Sequence, residues 1–122
     1  MKKLYSIIVA AAITLLAACA TAPQTPAQSV YAVQGTYAAA LNVAVAYKQL
    51  PPCQTGGPAL CSEKTVVAKL QQADDVAYAA LTAAQNIVRT PNAGLNVQTA
   101  IAAANNAVAA MAAITATLKV KP

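Results

Sequence analysis

Between Val66 and Ile87 the residues Val66, Leu70, Ala73, Ala77, Ala80, Ala84 and Ile87 recur at alternating steps of four and three. Only a helix, with about 3.6 residues per turn, brings such a series onto one face; a strand would need alternation by two. Val67, Leu81 and Val88 widen this seam into the broader stripe of a helix packed in a bundle. The same period runs through Val30, Val33, Tyr37, Ala40/Leu41, Ala44 and Tyr47, and again through Val97, Ile101, Ala104, Val108, Met111, Ile114/Thr115 and Leu118. Two breaks separate the three runs: residues 51–61, PPCQTGGPALC, and Thr90-Pro91-Asn92-Ala93-Gly94. Proline lacks the amide hydrogen and restricts its predecessor, so helices stop there. Short turns between three apolar-striped helices predict an all-α fold, an antiparallel three-helix bundle with helices over about 28–49, 63–89 and 95–118.

The helix ends carry their own signals. Thr25-Pro26-Ala27-Gln28 has the form of a helix start, with Thr as N-cap, Pro at the first helical position and Gln three residues on. Ser62 is expected to cap the second helix, with Glu63 near its positive end. Arg89, Lys119 and Lys121 suit the negative ends of their helices. Gly35 costs about 1 kcal/mol relative to alanine inside a helix, and a close contact or slight bend would account for it.

Composition sharpens this picture. The chain has 122 residues, of which 33 are alanine, so its 58% hydrophobic content is less greasy than it sounds. Alanine favours helix and lets helices approach closely, but each one removes little apolar surface from water. There is no His, Trp or Phe, and charged residues are only 9%, against about 25% in ordinary globular proteins. The absence of histidine excludes His-based triads, His metal sites and an imidazole pH switch.

The N-terminus reads as an address. Lys2 and Lys3 precede an apolar run from Leu4 to Ala18, interrupted only by Ser6 and Thr14; this is the grammar of a secretory signal peptide. The run ends in Leu16-Ala17-Ala18-Cys19, which resembles the lipobox of bacterial lipoproteins. The resemblance covers about the first 20 residues and implies cleavage by signal peptidase II between Ala18 and Cys19, with the Cys19 thiol lipidated. An uncleaved anchor needs about 20 apolar residues, and this run is shorter. Two or three acyl chains, at about 0.8 kcal/mol per buried methylene, anchor durably where one does not. Ala20, rather than Asp, follows the cysteine; by the same resemblance this favours the outer membrane over the inner, with the domain facing the periplasm. The expected organisation is a signal peptide over 1–18, a lipidated cysteine and flexible tether over 19–29, and a helical domain over 30–122.

Without its signal the chain keeps Lys48, Lys64, Lys69, Arg89, Lys119 and Lys121 against Glu63, Asp74 and Asp75, a balance of 6 − 3 = +3. These charges are scattered, whereas a nucleic-acid binder clusters Lys and Arg. With Cys19 lipidated, Cys53 and Cys61 are the remaining cysteines, and they flank a loop in an exported protein. An oxidising compartment makes a structural disulfide the expected state. The C-x7-C spacing lacks the thioredoxin-like C-x-x-C motif, and zinc would want four ligands.

Candidate recognition residues are few. Asp74 lies on the edge of the apolar stripe, with Tyr78 one turn later, and together they are a candidate polar contact. The plainer reading pairs Asp74 with Lys48, with Arg89 or with a tyrosine hydroxyl. Asp74 and Asp75 point about 100° apart and do not converge as a catalytic pair. Tyr31, Tyr37, Tyr47 and Tyr78 could stack on a ligand, but tyrosine commonly buries its ring and leaves its hydroxyl at the wet edge. Asn42, Asn105 and Asn106 suit exposed helix faces. No phosphate loop, nucleophile elbow or S-x-x-K pairing is present, and no cofactor or metal is implied. The sequence therefore points to a non-enzymatic envelope protein, a structural or adaptor subunit with a protein partner or self-association through its helix faces. The alternative is a helical module that shields a small apolar ligand in the periplasm.

Overall fold

A computed structural model describes residues 24–90 and 96–118. Within them the chain forms α1 over Pro26–Lys48, α2 over Lys64–Arg89 and α3 over Val97–Ala116. Each helix packs against the other two, giving an all-α antiparallel three-helix bundle with a disulfide-closed loop between α1 and α2. The α2–α3 contact is the most extensive and α1–α2 the least.

Helix α1 starts where its capping chemistry dictates. The Thr25 hydroxyl accepts from the Gln28 N–H at 3.3 Å, while the Gln28 side-chain oxygen accepts from the Thr25 N–H at 2.9 Å. This reciprocal pair satisfies two backbone donors, and Pro26 supplies a preset φ in the first turn. Helix therefore begins at Pro26, and residues 26–29, expected at the end of a flexible tether, belong to α1. The Pro51-Pro52 pair stops the chain from continuing past Lys48.

The start of α2 corrects the expected cap. Glu63 is the N-cap residue and makes no side-chain capping bond. Ser62 is buried and its hydroxyl instead donates to the Leu50 carbonyl at 2.9 Å, fastening the loop to the end of α1. A serine within reach of an unpaired carbonyl of the preceding helix satisfies that acceptor rather than an amide of its own helix.

The core follows the periodicity. Val30, Val33, Ala40, Ala44 and Tyr47 of α1, Leu70, Ala77, Leu81 and Ala84 of α2, and Ile101, Ala104, Val108 and Met111 of α3 form one buried cluster. Ala77, Ala84 and Met111 are fully buried at 0% exposure; the two alanines sit on the seam where α2 meets its neighbours, and Met111 fills the space between. Buried Thr115 is satisfied through its own helix, its hydroxyl donating to the Ala112 carbonyl at 2.9 Å. Among the described residues no buried side-chain nitrogen or oxygen lacks a partner.

Gly35 is exposed, and a methyl group added there would meet nothing within 4 Å. No close contact explains this glycine. Asn42, Asn105 and Asn106 are exposed on helix faces. Helix α3 is long and apolar enough in composition to cross a bilayer, but here it packs on both other helices and turns alanine, Gln98, Thr99, Asn105 and Asn106 outward.

Candidate functional site

The one side chain–side chain hydrogen bond between helices, among the described residues, joins α1 to α2. The Tyr37 hydroxyl donates to Asp74 Oδ1 at 2.6 Å. Tyr37 lies on the α1 seam and Asp74 on the edge of the α2 stripe, so the bond forms at the rim, where ring and carboxylate are both half-buried. It sets the axial register of α1 against α2 at the least extensive of the three helix contacts. Partial burial first, then the bond to Asp74 and the charges of Asp74, Tyr78 and Asp75, pushes the Tyr37 hydroxyl up to about 12 from its ordinary 10.0. Of the candidate pair, Asp74 is engaged by Tyr37, whereas Tyr78, one turn further along α2, is 63% exposed. Tyr31 is likewise on the surface, at 78% exposure, and Tyr47 is buried.

Below this bond an open groove of about 380 Å³ runs between α1 and α2, bordered by Leu41, Val45, Lys48, Val67 and the two aspartates. A second open groove, of about 670 Å³, lies where the disulfide loop meets the start of α2 and the end of α3; Leu60, Val66, Ile114 and Leu118 make its floor, with Lys69 and Glu63 at its edge. A third, of about 260 Å³, is lined by Lys48, Pro52, Ser62, Lys64 and Val67. Among the described residues no three His, Cys, Asp or Glu side chains converge as a metal site would require.

The loop itself is closed several times over. Cys53 and Cys61 are disulfide-bonded with Cα atoms 4.8 Å apart. The Cys53 N–H donates to the Ser62 carbonyl at 3.1 Å and the Ser62 N–H to the Pro51 carbonyl at 2.9 Å. Beside them the Glu63 N–H donates to the Tyr47 hydroxyl at 3.0 Å. At the tip the Gly57 N–H donates to the Gln54 carbonyl at 2.9 Å, and Gly56 takes φ +79° at the turn position that favours glycine. Residues 51–59 are all exposed, so a fixed neck presents a polar, glycine-containing tip.

Sequence reasoning missed the roles of Ser62 and Tyr47 at this neck. A buried tyrosine hydroxyl always needs a partner, and that requirement was the available signal for Tyr47. It also passed over Lys64, which occupies the first turn of α2, where no acidic residue accompanies it. Ala18 and Cys19, the expected cleavage and lipidation residues, lie outside the described residues, as do Lys119 and Lys121. Comparison with protein-family models, curated proteins and solved structures finds no match for this chain.

Proposed function

We propose that this chain is a non-enzymatic lipoprotein of the bacterial cell envelope, held at a membrane by lipid on Cys19 and serving as a structural or adaptor subunit on its periplasmic side. The observation that carries the reading is the Leu16-Ala17-Ala18-Cys19 segment placed directly after a basic start and apolar run. The Cys53–Cys61 disulfide supports it, since such bonds persist in exported proteins. About six residues, Ala20 to Thr25, separate the lipidated cysteine from the first turn of α1; fully extended they reach roughly 20 Å. The domain would then be held close to the membrane by its Pro26 end, with the disulfide loop at the far end.

An adaptor works through surface, and this surface is large, weakly charged and built on a rigid scaffold. The alternative, a carrier for a small apolar ligand, needs an enclosed space between helices; the grooves described here are open, and Met111 and Val108 occupy the bundle centre. Two measurements test the proposal. Fatty-acid labelling should be present in the wild type and lost in Cys19→Ala. Cross-linking in intact cells should then join the domain to one reproducible protein partner; recovery of random neighbours alone would defeat the adaptor reading.

A further inference from the structure

The charges of this bundle are sorted along its axis. The Tyr37–Asp74 bond gives a reference level, because it joins α1 to the antiparallel α2. At that level, and from it to the disulfide loop, lie Asp74, Asp75, Lys69, Lys64, Glu63 and Lys48. Towards the start of α1, residues 24–36 and 76–90 hold one charged side chain, Arg89, and α3 has none along its length. The sequence through residues 91–95 adds no charge. Exposed aromatic rings run the other way. Tyr31 lies six residues before Tyr37 and Tyr78 four residues after Asp74. At 1.5 Å per residue both sit about 6–9 Å from the bond, on its low-charge side. They are the two most exposed large hydrophobic side chains among the described residues.

An end with little charge, exposed tyrosines and one arginine matches the layer where lipid headgroups meet water. Tyrosine settles there with its ring towards the acyl chains and its hydroxyl among the headgroups. Arginine pairs with phosphate through its forked N–H donors. Few charged groups lose their water as such an end approaches a bilayer. We infer that the Pro26 end of the bundle docks on the headgroup layer of the phospholipid membrane that holds Cys19, with Tyr31 and Tyr78 at the interface and Arg89 on an anionic phosphate. The inference rests on the lipoprotein reading and adds a contact between domain and bilayer that a tether alone does not require. The six residues from Ala20 to Thr25 make that contact intramolecular, so a surface of low intrinsic affinity stays engaged.

The chain has no tryptophan, so one introduced tryptophan is a unique fluorescent reporter. Protein purified from membranes with its lipid, carrying Tyr31→Trp, Tyr78→Trp or, in the loop, Gln54→Trp, is reconstituted into vesicles. These contain phosphatidylethanolamine, a minor share of phosphatidylglycerol and a lipid with a nitroxide on its headgroup. Fluorescence should be strongly quenched in Tyr31→Trp and Tyr78→Trp and not in Gln54→Trp. Adding Arg89→Glu to Tyr31→Trp should lower the ratio of docked to free domain about fivefold or more, the effect of one basic residue at an anionic surface. Omitting phosphatidylglycerol should lower it similarly without altering the protein. An unchanged ratio in both cases overturns the proposal. With the protein vesicle-bound, quenching at neither tyrosine position, or at only one, overturns the docking and leaves the lipoprotein reading standing. So does equal quenching in Gln54→Trp, the result for a bundle that lies flat or tumbles. Shielding of Tyr31→Trp from aqueous iodide without quenching by the nitroxide lipid would place a second copy of the chain on this end instead. Absence of lipid on Cys19 of the wild type, read by mass spectrometry before reconstitution, overturns both readings.

Discussion

The Tyr47 hydroxyl accepts a hydrogen bond from the backbone N–H of Glu63 at 3.0 Å, so the last turn of α1 satisfies the amide of the residue that caps α2. The ring of Tyr47 is buried in the core while its polar tip does the work of a helix cap. Tyr47→Phe keeps the ring and removes the acceptor. We expect a loss of about 1 kcal/mol, read from urea unfolding followed by circular dichroism, with helix content in water unchanged. An unaltered midpoint would show that water replaces the hydroxyl without cost.

The Tyr37–Asp74 bond gives the domain an alkaline limit. Tyr37 ionises at about 12 in the folded protein against an ordinary 10.0, so its contribution to stability is complete below pH 10. Above that the unfolded chain releases the proton while the folded one holds it, and stability falls as pH rises towards 12. The difference between wild type and Tyr37→Phe isolates this one hydroxyl and is the informative quantity. That difference should shrink between pH 10 and 12. Absorbance titration of the folded protein should show a tyrosine ionisation at about 12, and Tyr37→Phe should remove it.

Much of this fold was readable from spacing alone. Each seam position named from the three-and-four periodicity, from Val30 to Leu118, is buried or half-buried. The capping box at Thr25 and Gln28 was also legible, because both partners lie within one turn of sequence. What periodicity leaves open is the register of one helix along another. It placed Asp74 at the edge of a stripe, yet the choice among Lys48, Arg89 and a tyrosine depends on how far α1 slides against α2. The neck was opaque for a related reason. Whether Ser62 caps its own helix or reaches back to Leu50 depends on how the loop closes in three dimensions.

Gly35 is the one mid-helix glycine and nothing crowds it. Gly35→Ala should therefore raise stability by about 0.5–1 kcal/mol through a less entropic unfolded chain. Thermal unfolding reads this directly as a higher midpoint. A lower midpoint would reveal a conformational need for glycine that the helix geometry does not show.

The disulfide closes a loop that hydrogen bonds also close. Reduction should leave the three helices intact in water, because the bonds from Cys53, Ser62 and Glu63 persist. Its loss should still cost roughly 2.6 kcal/mol in the chain-entropy model for a nine-residue loop. Urea unfolding with and without reductant measures the cost, and Cys53→Ser/Cys61→Ser should match the reduced wild type. Collapse of the helical signal on reduction in water would show that the backbone bridge does not hold the neck unaided.

The alanine seam makes the last prediction run against ordinary intuition. In a thinly packed core, exchanging alanine for leucine adds apolar surface to bury, and a gain of about 1.5–3 kcal/mol would follow if space allowed. Ala84, however, has no exposure at all, and Ala77 one heptad earlier has none either. Their methyl groups already meet neighbouring helices, so a leucine has to push a helix away or adopt a strained rotamer. Ala84→Leu should then lower stability by about 1–3 kcal/mol. The adjacent Ala83 is exposed, and Ala83→Leu should change stability by no more than about 0.5 kcal/mol. Paired urea unfolding curves of the two variants make the comparison. Stabilisation by Ala84→Leu would mean that the helices are spaced by something other than their alanines; destabilisation confined to Ala84 would identify close approach, rather than buried bulk, as what holds this bundle together.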